Sequence, residues 1–245
     1  MVDELRNTFG ERLDHTLTLG STDESPLVVI GHGVTANKDR PFLQALSTAL
    51  AAVGIASLRF SFSGNGDSEG RFEDSTVSKE VQDLGCVLDA FNGLDRPLAY
   101  AGHSMGAAVG VLRAASDTRI SVLVSLAGMV HTKDFAQRKF GGQRPGDSLM
   151  WDKPECPLSQ AWVDDMAKID TVVELGAEIH VPWLLVHGDA DTVVPLRDAE
   201  DIRSKALDRP ELVVLEGVDH VFADSGTERM TRAVVPFFER VFGHR

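Results

Sequence analysis

The serine whose surroundings point to chemistry is Ser104. It lies in Gly102-His103-Ser104-Met105-Gly106, directly after the apolar run Leu98–Ala101 and before the helix-prone Ala107–Ala115. A strand-to-helix turn tight enough to expose a serine brings its i−2 and i+2 neighbours together, and only glycine is small enough at both places. A hydroxyl is a poor nucleophile at neutral pH and needs a base to take its proton. An imidazole, with an ordinary pKa of about 6.5, suits that task, and a carboxylate must fix its tautomer.

Eight histidines are available. His220 stands out because Glu216-Gly217-Val218-Asp219-His220 follows the apolar run Leu212–Leu215, and ligand sites in open α/β sheets lie outside the carboxyl ends of strands. His187 ends another apolar run and is read as packing or local hydrogen bonding. His103 lies within the turn itself, where its ring cannot easily swing back on Ser104. His15, His131, His180 and His244 lie in segments without a companion motif. The carboxylate is sought in His187-Gly188-Asp189-Ala190-Asp191-Thr192-Val193-Val194-Pro195. Asp189, next to the strand end, can cap its own turn by accepting backbone N–H bonds. Asp191 lies further out, can reach the next strand's loop, and is favoured.

Acyl chemistry also needs donors for an oxyanion, and removing one typically raises the barrier by about 2.7–4 kcal/mol. The backbone N–H of Met105, next after the serine, is one candidate. The other comes from Gly31-His32-Gly33-Val34-Thr35, after the run Leu27–Ile30. Its glycines let the backbone approach a ligand, and the N–H of Val34 is the candidate donor.

These residues need a frame. Leu27–Ile30, Ile55–Phe60, Leu98–Ala101, Ile120–Leu126, Trp183–His187 and Leu212–Leu215 are nearly continuous apolar runs, the pattern of strands buried on both faces of a parallel sheet. Leu13–Leu19 alternates instead, with Leu13, His15, Leu17 and Leu19 on one side, and reads as an antiparallel edge strand. Three helical stripes lie between or after them. Phe42, Leu43, Leu46, Ala49, Leu50 and Val53 form the first, with Asp39 as its cap, Pro41 in the first turn and Gly54 as its stop. Val77, Val81, Leu84, Val87, Leu88 and Phe91 form the second, opened by Asp74 or Ser75 and closed by Gly93. Val234, Phe237, Phe238, Val241 and Phe242 form the third, and Pro236 inside it requires a restart or a kink. This β-α alternation predicts an α/β fold: a mostly parallel sheet flanked by helices on both faces.

From His131 to His180 no strand is evident, and Gly141, Gly142, Pro145, Gly146, Pro154 and Pro157 interrupt the stretch. It is too long for a plain connection. Ala161–Leu175 still reads as short helices, so a small lid or cap inserted at about 131–180 into one domain of residues 1–245 is expected. Met150, Trp151, Trp162 and Met166 either face a substrate or form the lid's own core.

Composition removes other classes. The chain has 245 residues, 37 acidic against 24 basic side chains and a formal net charge of -13. That balance, without a Lys/Arg cluster, disfavours nucleic acid and anionic membrane surfaces as partners. No run approaches the ~18 apolar residues of a membrane span. Met1 to Arg12 carries charges of both signs and no apolar stretch, so a signal peptide is not expected and a cytoplasmic location is. Cys86 and Cys156 cannot form a disulfide framework or a metal site, and Cys86 is expected to be buried. There is no HExxH and no Cys/His cluster, so no metal is expected. Gly64–Gly70 fits neither a P-loop nor GxGxxG, so neither is a nucleotide cofactor.

Taken with these motifs, the chain resembles the α/β-hydrolase superfamily over nearly its whole length, from His32-Gly33 through the Ser104 turn and Gly188-Asp189-Ala190-Asp191-Thr192-Val193-Val194-Pro195 to His220. The order Ser, Asp, His is the one that arrangement uses. Ser61–Gly70 is similar to a loop these proteins carry after an early strand, packing beneath the site. His32-Gly33-Val34-Thr35-Ala36-Asn37-Lys38-Asp39 resembles the matching stretch of serine esterases of the feruloyl/cinnamoyl type and of monoacylglycerol-lipase-like enzymes, which carry a short lid where this chain has His131–His180. The resemblance implies hydrolysis of a small-molecule carboxylic ester through an acyl-enzyme, without a cofactor. Ser104 would be nucleophile, His220 base, Asp191 the orienting acid, and Val34 and Met105 the oxyanion donors. Relatives with aspartate or cysteine at the turn, such as haloalkane dehalogenases, epoxide hydrolases and dienelactone hydrolases, do not match. Thioester, amide or C–C cleavage on the same three residues stays open, as does an inactive small-molecule-binding member.

Overall fold

A computed structural model describes residues 4–93 and 96–243. Its strands are β1 (Leu5–Arg6), β2 (Arg12–Leu13), β3 (His15–Thr18), β4 (Leu27–Gly31), β5 (Ala56–Phe60), β6 (Leu98–His103), β7 (Ile120–Leu126), β8 (Trp183–Gly188) and β9 (Glu211–Leu215). Its helices are α1 (Pro41–Ala52), α2 (Val77–Ala90), α3 (Met105–Ala114), α4 (Thr132–Phe140), α5 (Gln160–Ile169), α6 (Leu196–Lys205) and α7 (Ser225–Gly243). Seven strands form one sheet in the order β3-β5-β4-β6-β7-β8-β9. Only β3 runs antiparallel within it, against β5, with His15 opposite Phe60. All six apolar runs are strands of this sheet, and the alternating segment is its edge.

The continuous hydrophobicity of the parallel strands divides between two faces, because successive side chains point opposite ways. Val29, Leu58, Tyr100, Leu123 and Leu185 pack on one face with α2, α3 and α6. Val28, Ile30, Ala99, Ala101, Val122, Val124, Leu184 and Val186 pack on the other with α1 and α7. This is the α/β-hydrolase architecture, a mostly parallel sheet covered by helices on both sides.

Local capping departs from expectation in two places. Arg40, not Asp39, occupies the N-cap of α1 and makes no side-chain cap bond; Asp39 is drawn instead to Lys38 at 2.7 Å and Arg59 at 2.8 Å. Thr76, not Asp74 or Ser75, opens α2 by accepting the Lys79 N–H at 3.2 Å. Asp74 ends a short 3-10 turn, Phe72–Asp74, and the Ser75 hydroxyl is engaged by Asn65 and Glu80. Leu19 and Val53 lie exposed at the ends of their elements, and Cys86 is half-buried rather than buried. α7 runs through Pro236 as one helix. The β1–β2 hairpin, which pairs Leu5 with Leu13, has no counterpart in the sequence reading because two-residue strands carry no periodicity.

Between β7 and β8 the chain forms α4, α5 and two 3-10 turns, Met150–Asp152 and Val173–Glu178. Phe135, Phe140, Met150, Trp162 and Met166 are buried there in the same apolar cluster as the α2/α3 face of the sheet. Three of the four residues weighed as lid core or substrate contact are therefore core. Trp151 is the exception, 40% exposed.

Candidate active site

Ser104 follows the last residue of β6 and holds the N-cap of α3 with φ 54° and ψ −117°. That left-handed backbone costs a non-glycine residue about 1–3 kcal/mol and persists only where surroundings enforce it. They do so from three directions. The Ser104 N–H donates to the Leu126 carbonyl at 2.9 Å, its own carbonyl accepts from Ala107 at 3.0 Å and Met129 at 3.2 Å, and the Tyr100 hydroxyl donates to the Gly106 carbonyl at 2.9 Å. A Cβ on Gly102 would lie 2.3 Å from the Gly106 carbonyl oxygen, and one on Gly106 would lie 2.4 Å from that of His32. The two glycines are thus required by backbone meeting backbone.

The loop after β4 is pressed onto this turn. A Cβ on Gly33 would stand 2.8 Å from Ser104 Cβ. His32 fastens the loop from beneath: its Nδ1–H donates to the Gly33 carbonyl at 2.8 Å, and its Nε2 accepts the Phe62 N–H at 3.0 Å. Burial pushes the His32 pKa down to about 4, against the opposing pull of the Gly33 carbonyl, so the ring stays neutral and can both donate and accept. This linkage gives the Ser61–Gly70 loop its place below the cleft. No described residue accepts a hydrogen bond from the backbone N–H of Val34 or of Met105.

Asp191 and His220 meet at the other side. His220 Nδ1 lies 2.7 Å from Asp191 Oδ2. The Asp191 Oδ1 accepts the backbone N–H groups of Val193 at 2.8 Å and Val194 at 2.9 Å. Burial of this side chain would raise its pKa, but hydrogen bonds from His187, His220 and the Val194 N–H outweigh that and hold it well below the carboxylate range. Asp189 instead accepts the Gly217 N–H at 2.6 Å and ties the β8 and β9 loops together, a backbone bond as expected but to the next strand's loop rather than within its own turn.

Ser104, Val34 and His220 line one cleft of about 220 Å³. Met105 is buried as the first residue of α3. The Ser104 hydroxyl makes no hydrogen bond to a described residue; such contacts are often long before substrate binds. Arg40, Phe135, Lys153 and Val193 also line the cleft without having been foreseen, and Trp151, weighed as substrate contact or lid core, lines it as well.

Two histidines do more than their sequence positions suggested. His103 Nε2–H donates to the His220 carbonyl at 2.9 Å, with the two ring centroids 4.8 Å apart. Burial, followed by the neighbouring His220, holds its pKa well below the usual value. His187 Nε2–H donates to the Val194 carbonyl at 3.0 Å and lies 3.4 Å from Asp191 Oδ2. The i,i+4 spacing of His187 and Asp191 was the available signal. His15, His131 and His180 have local partners, Leu13, Asp201 and Asp208; His244 lies outside the described residues. Among the described residues, no three His, Cys, Asp or Glu side chains gather as a metal would require, and no helix is long and apolar enough to cross a membrane.

Known proteins give the arrangement its context. A family model described as an alpha/beta hydrolase domain matches residues 24–132. Est1E from Butyrivibrio proteoclasticus, solved with ferulic acid bound, superposes with a TM-score of 0.84 at 26% identity, over 97% of this chain and 98% of that one. An uncharacterized protein of Mycobacterium tuberculosis, Rv2307c, is 26% identical over 201 residues, 82% of this chain and 64% of its own length. Human mitochondrial palmitoyl-protein thioesterase ABHD10 is 24% identical over 206 residues, 78% of this chain and 65% of its own. The chain thus spans about two thirds of the length of these curated relatives. From its sheet order, its strained turn at Ser104 and these matches, the chain has the α/β-hydrolase fold and is similar to members of that superfamily.

Proposed function

We propose that the protein is a serine hydrolase that cleaves carboxylic esters of small to medium acyl or aromatic acids through an acyl-enzyme. Ser104 attacks the carbonyl, His220 takes its proton and returns it to the leaving alcohol, and Asp191 fixes the His220 tautomer with Nε2 free toward the cleft. The N–H groups of Val34 and Met105 receive the oxyanion. The observation that carries this reading is the 2.7 Å contact between His220 Nδ1 and an Asp191 carboxylate already held by two backbone N–H groups. Water then attacks the acyl-enzyme with His220 again as base. No residue of the cycle calls for a cofactor.

The helical segment at 131–180 serves as the lid, with Trp151 and Phe135 over the cleft. The ferulic acid in Est1E favours an aromatic acid as acyl group. The thioesterase activity for which ABHD10 is named favours a second reading on the same residues, thioester cleavage. The two cysteines are free thiols, as a reducing cytoplasmic setting leaves them.

A fluorophosphonate probe followed by intact mass and peptide mapping tests the nucleophile. One adduct on the Ser104 peptide is expected; an unmodified protein would indicate a binding member of the superfamily. A panel of p-nitrophenyl esters, acyl-CoA thioesters and aminoacyl arylamides separates the ester from the thioester reading by the ratio of their kcat/KM values.

A further inference from the structure

The cleft carries charge of one sign in a chain dominated by the other. Acidic side chains outnumber basic ones 37 to 24, yet no Asp or Glu lines the cleft that holds Ser104 and His220, whereas Arg40 and Lys153 both do. Around Arg40 the other cations are satisfied: Lys38 pairs with Asp14 at 3.3 Å and with Asp39, and Arg59 takes the other oxygen of Asp39. Arg40 forms no ion pair with a described residue. Lys153 reaches across from the helical insertion, donates to the Thr35 carbonyl at 3.1 Å and lies 3.5 Å from the Thr35 hydroxyl, and it forms no ion pair with a described residue. A guanidinium and an ammonium without carboxylate partners among the described residues, lining one cleft, are a recognition element for an anion, since hydrogen bonds to charged groups are the stronger kind. Apart from Thr35, Ser104 and the two histidines, the rest of the lining, with Trp151 and Phe135, is apolar.

We propose that the substrate is an ester carrying a second, anionic group, a carboxylate or a phosphate, received by Arg40 and Lys153 while the ester lies at Ser104. This rests on the hydrolase reading above and names the class of substrate. Arg40 and Lys153 act as specificity residues and take no part in bond making. A simple strap between insertion and loop is the competing role for Lys153, and it would affect neutral and charged esters alike.

The test compares kcat/KM for three p-nitrophenyl esters with matched acyl chains: valerate, hemiglutarate and 4-phosphonobutyrate. A second pair, 4-(carboxymethyl)phenyl acetate against 4-ethylphenyl acetate, places the anion on the leaving group. The expected result is a preference for the anionic member, on the order of tenfold, in at least one set, weakening as salt is added. The carboxylate and phosphonate arms tell the two anions apart. Arg40→Gln and Lys153→Met should each cut the anionic-to-neutral ratio several-fold, and together bring it near one, while Arg40→Lys keeps part of it. Because the ratio is taken within one variant, general damage to the site cancels. Neutral esters turned over with no anionic preference, or a preference unchanged in the double variant, would overturn the proposal and leave the hydrolase reading standing. No turnover of any ester and no fluorophosphonate adduct would overturn both.

Discussion

The loops at the carboxyl ends of the strands and the helical insertion between β7 and β8 build the same cleft by different means. In the loops, position is set by backbone meeting backbone and by hydrogen bonds between main chain and neutral or charged side chains. In the insertion, position comes from apolar packing, with the Phe140 ring 4.8 Å from Trp151 and 5.5 Å from Trp162 between centroids. The first kind of order tolerates almost no change of residue. The second tolerates exchange of one large apolar side chain for another, provided volume is kept. Reaction chemistry therefore falls to the loops, and the shape of the cleft to the insertion.

This contrast can be broken at its strongest point first. Ser104→Ala should lower kcat on the order of 10⁶-fold with little change in Tm, measured by ester turnover and thermal denaturation. Activity retained in that variant would place the nucleophile elsewhere. Asp191→Asn should cost roughly 10⁴-fold in kcat, because the amide cannot hold the His220 tautomer. Asp189→Asn should cost far less, since its partner is the Gly217 amide, and the reverse order would exchange their roles.

In the insertion the expected loss is of stability. Phe140→Ala should destabilise by about 3–5 kcal/mol, read by urea unfolding, because the ring is 3% exposed and no neighbour can fill its space. A folded variant should show a raised KM before any fall in kcat.

The fourth prediction concerns acid. His32 titrates at about 4 in the fold against an ordinary value of 6.5, so the unfolded chain takes up this proton first as pH falls. The stability associated with neutral His32 is complete above about pH 6.5 and is lost progressively down to about pH 4, roughly 3 kcal/mol in all. Urea unfolding of wild type and His32→Gln at pH 7.0, 5.5 and 4.5 should show a shallower pH dependence in the variant; equal slopes would remove His32 as the cause. Smallest of all, Trp151→Ala should raise KM a few-fold with kcat kept, as suits an exposed ring at the edge of the cleft; a fall in kcat alone would count against a role in shaping it.

What could be read in advance follows the same division. The Ser104 turn, the Asp191 and His220 loops and the six parallel strands were legible because steric rules at glycine and the hydrophobic runs of buried strands act over a few neighbouring residues. Arg40 and Lys153 were not, since their meeting at one cleft depends on where the insertion folds back, and for Trp151 the sequence left open whether it faces substrate or the lid's core. His103 was set aside because its ring cannot reach Ser104; that reasoning held, and the ring reaches His220's carbonyl instead. Asp39 was misread as a cap because an acidic residue ahead of a helix looks the same whether it meets an N–H or, as here, two cations.

The bond from the His103 imidazole to the carbonyl of His220 spans the ends of β6 and β9, with two strands, β7 and β8, between them in the sheet. It ties the backbone of the proposed base to the residue that precedes the proposed nucleophile. Thermal motion that swings one of these segments must carry the other with it, so alignment between them is conserved or forfeited as a unit. Warming would then leave no half-assembled population able to bind ester yet unable to cut it.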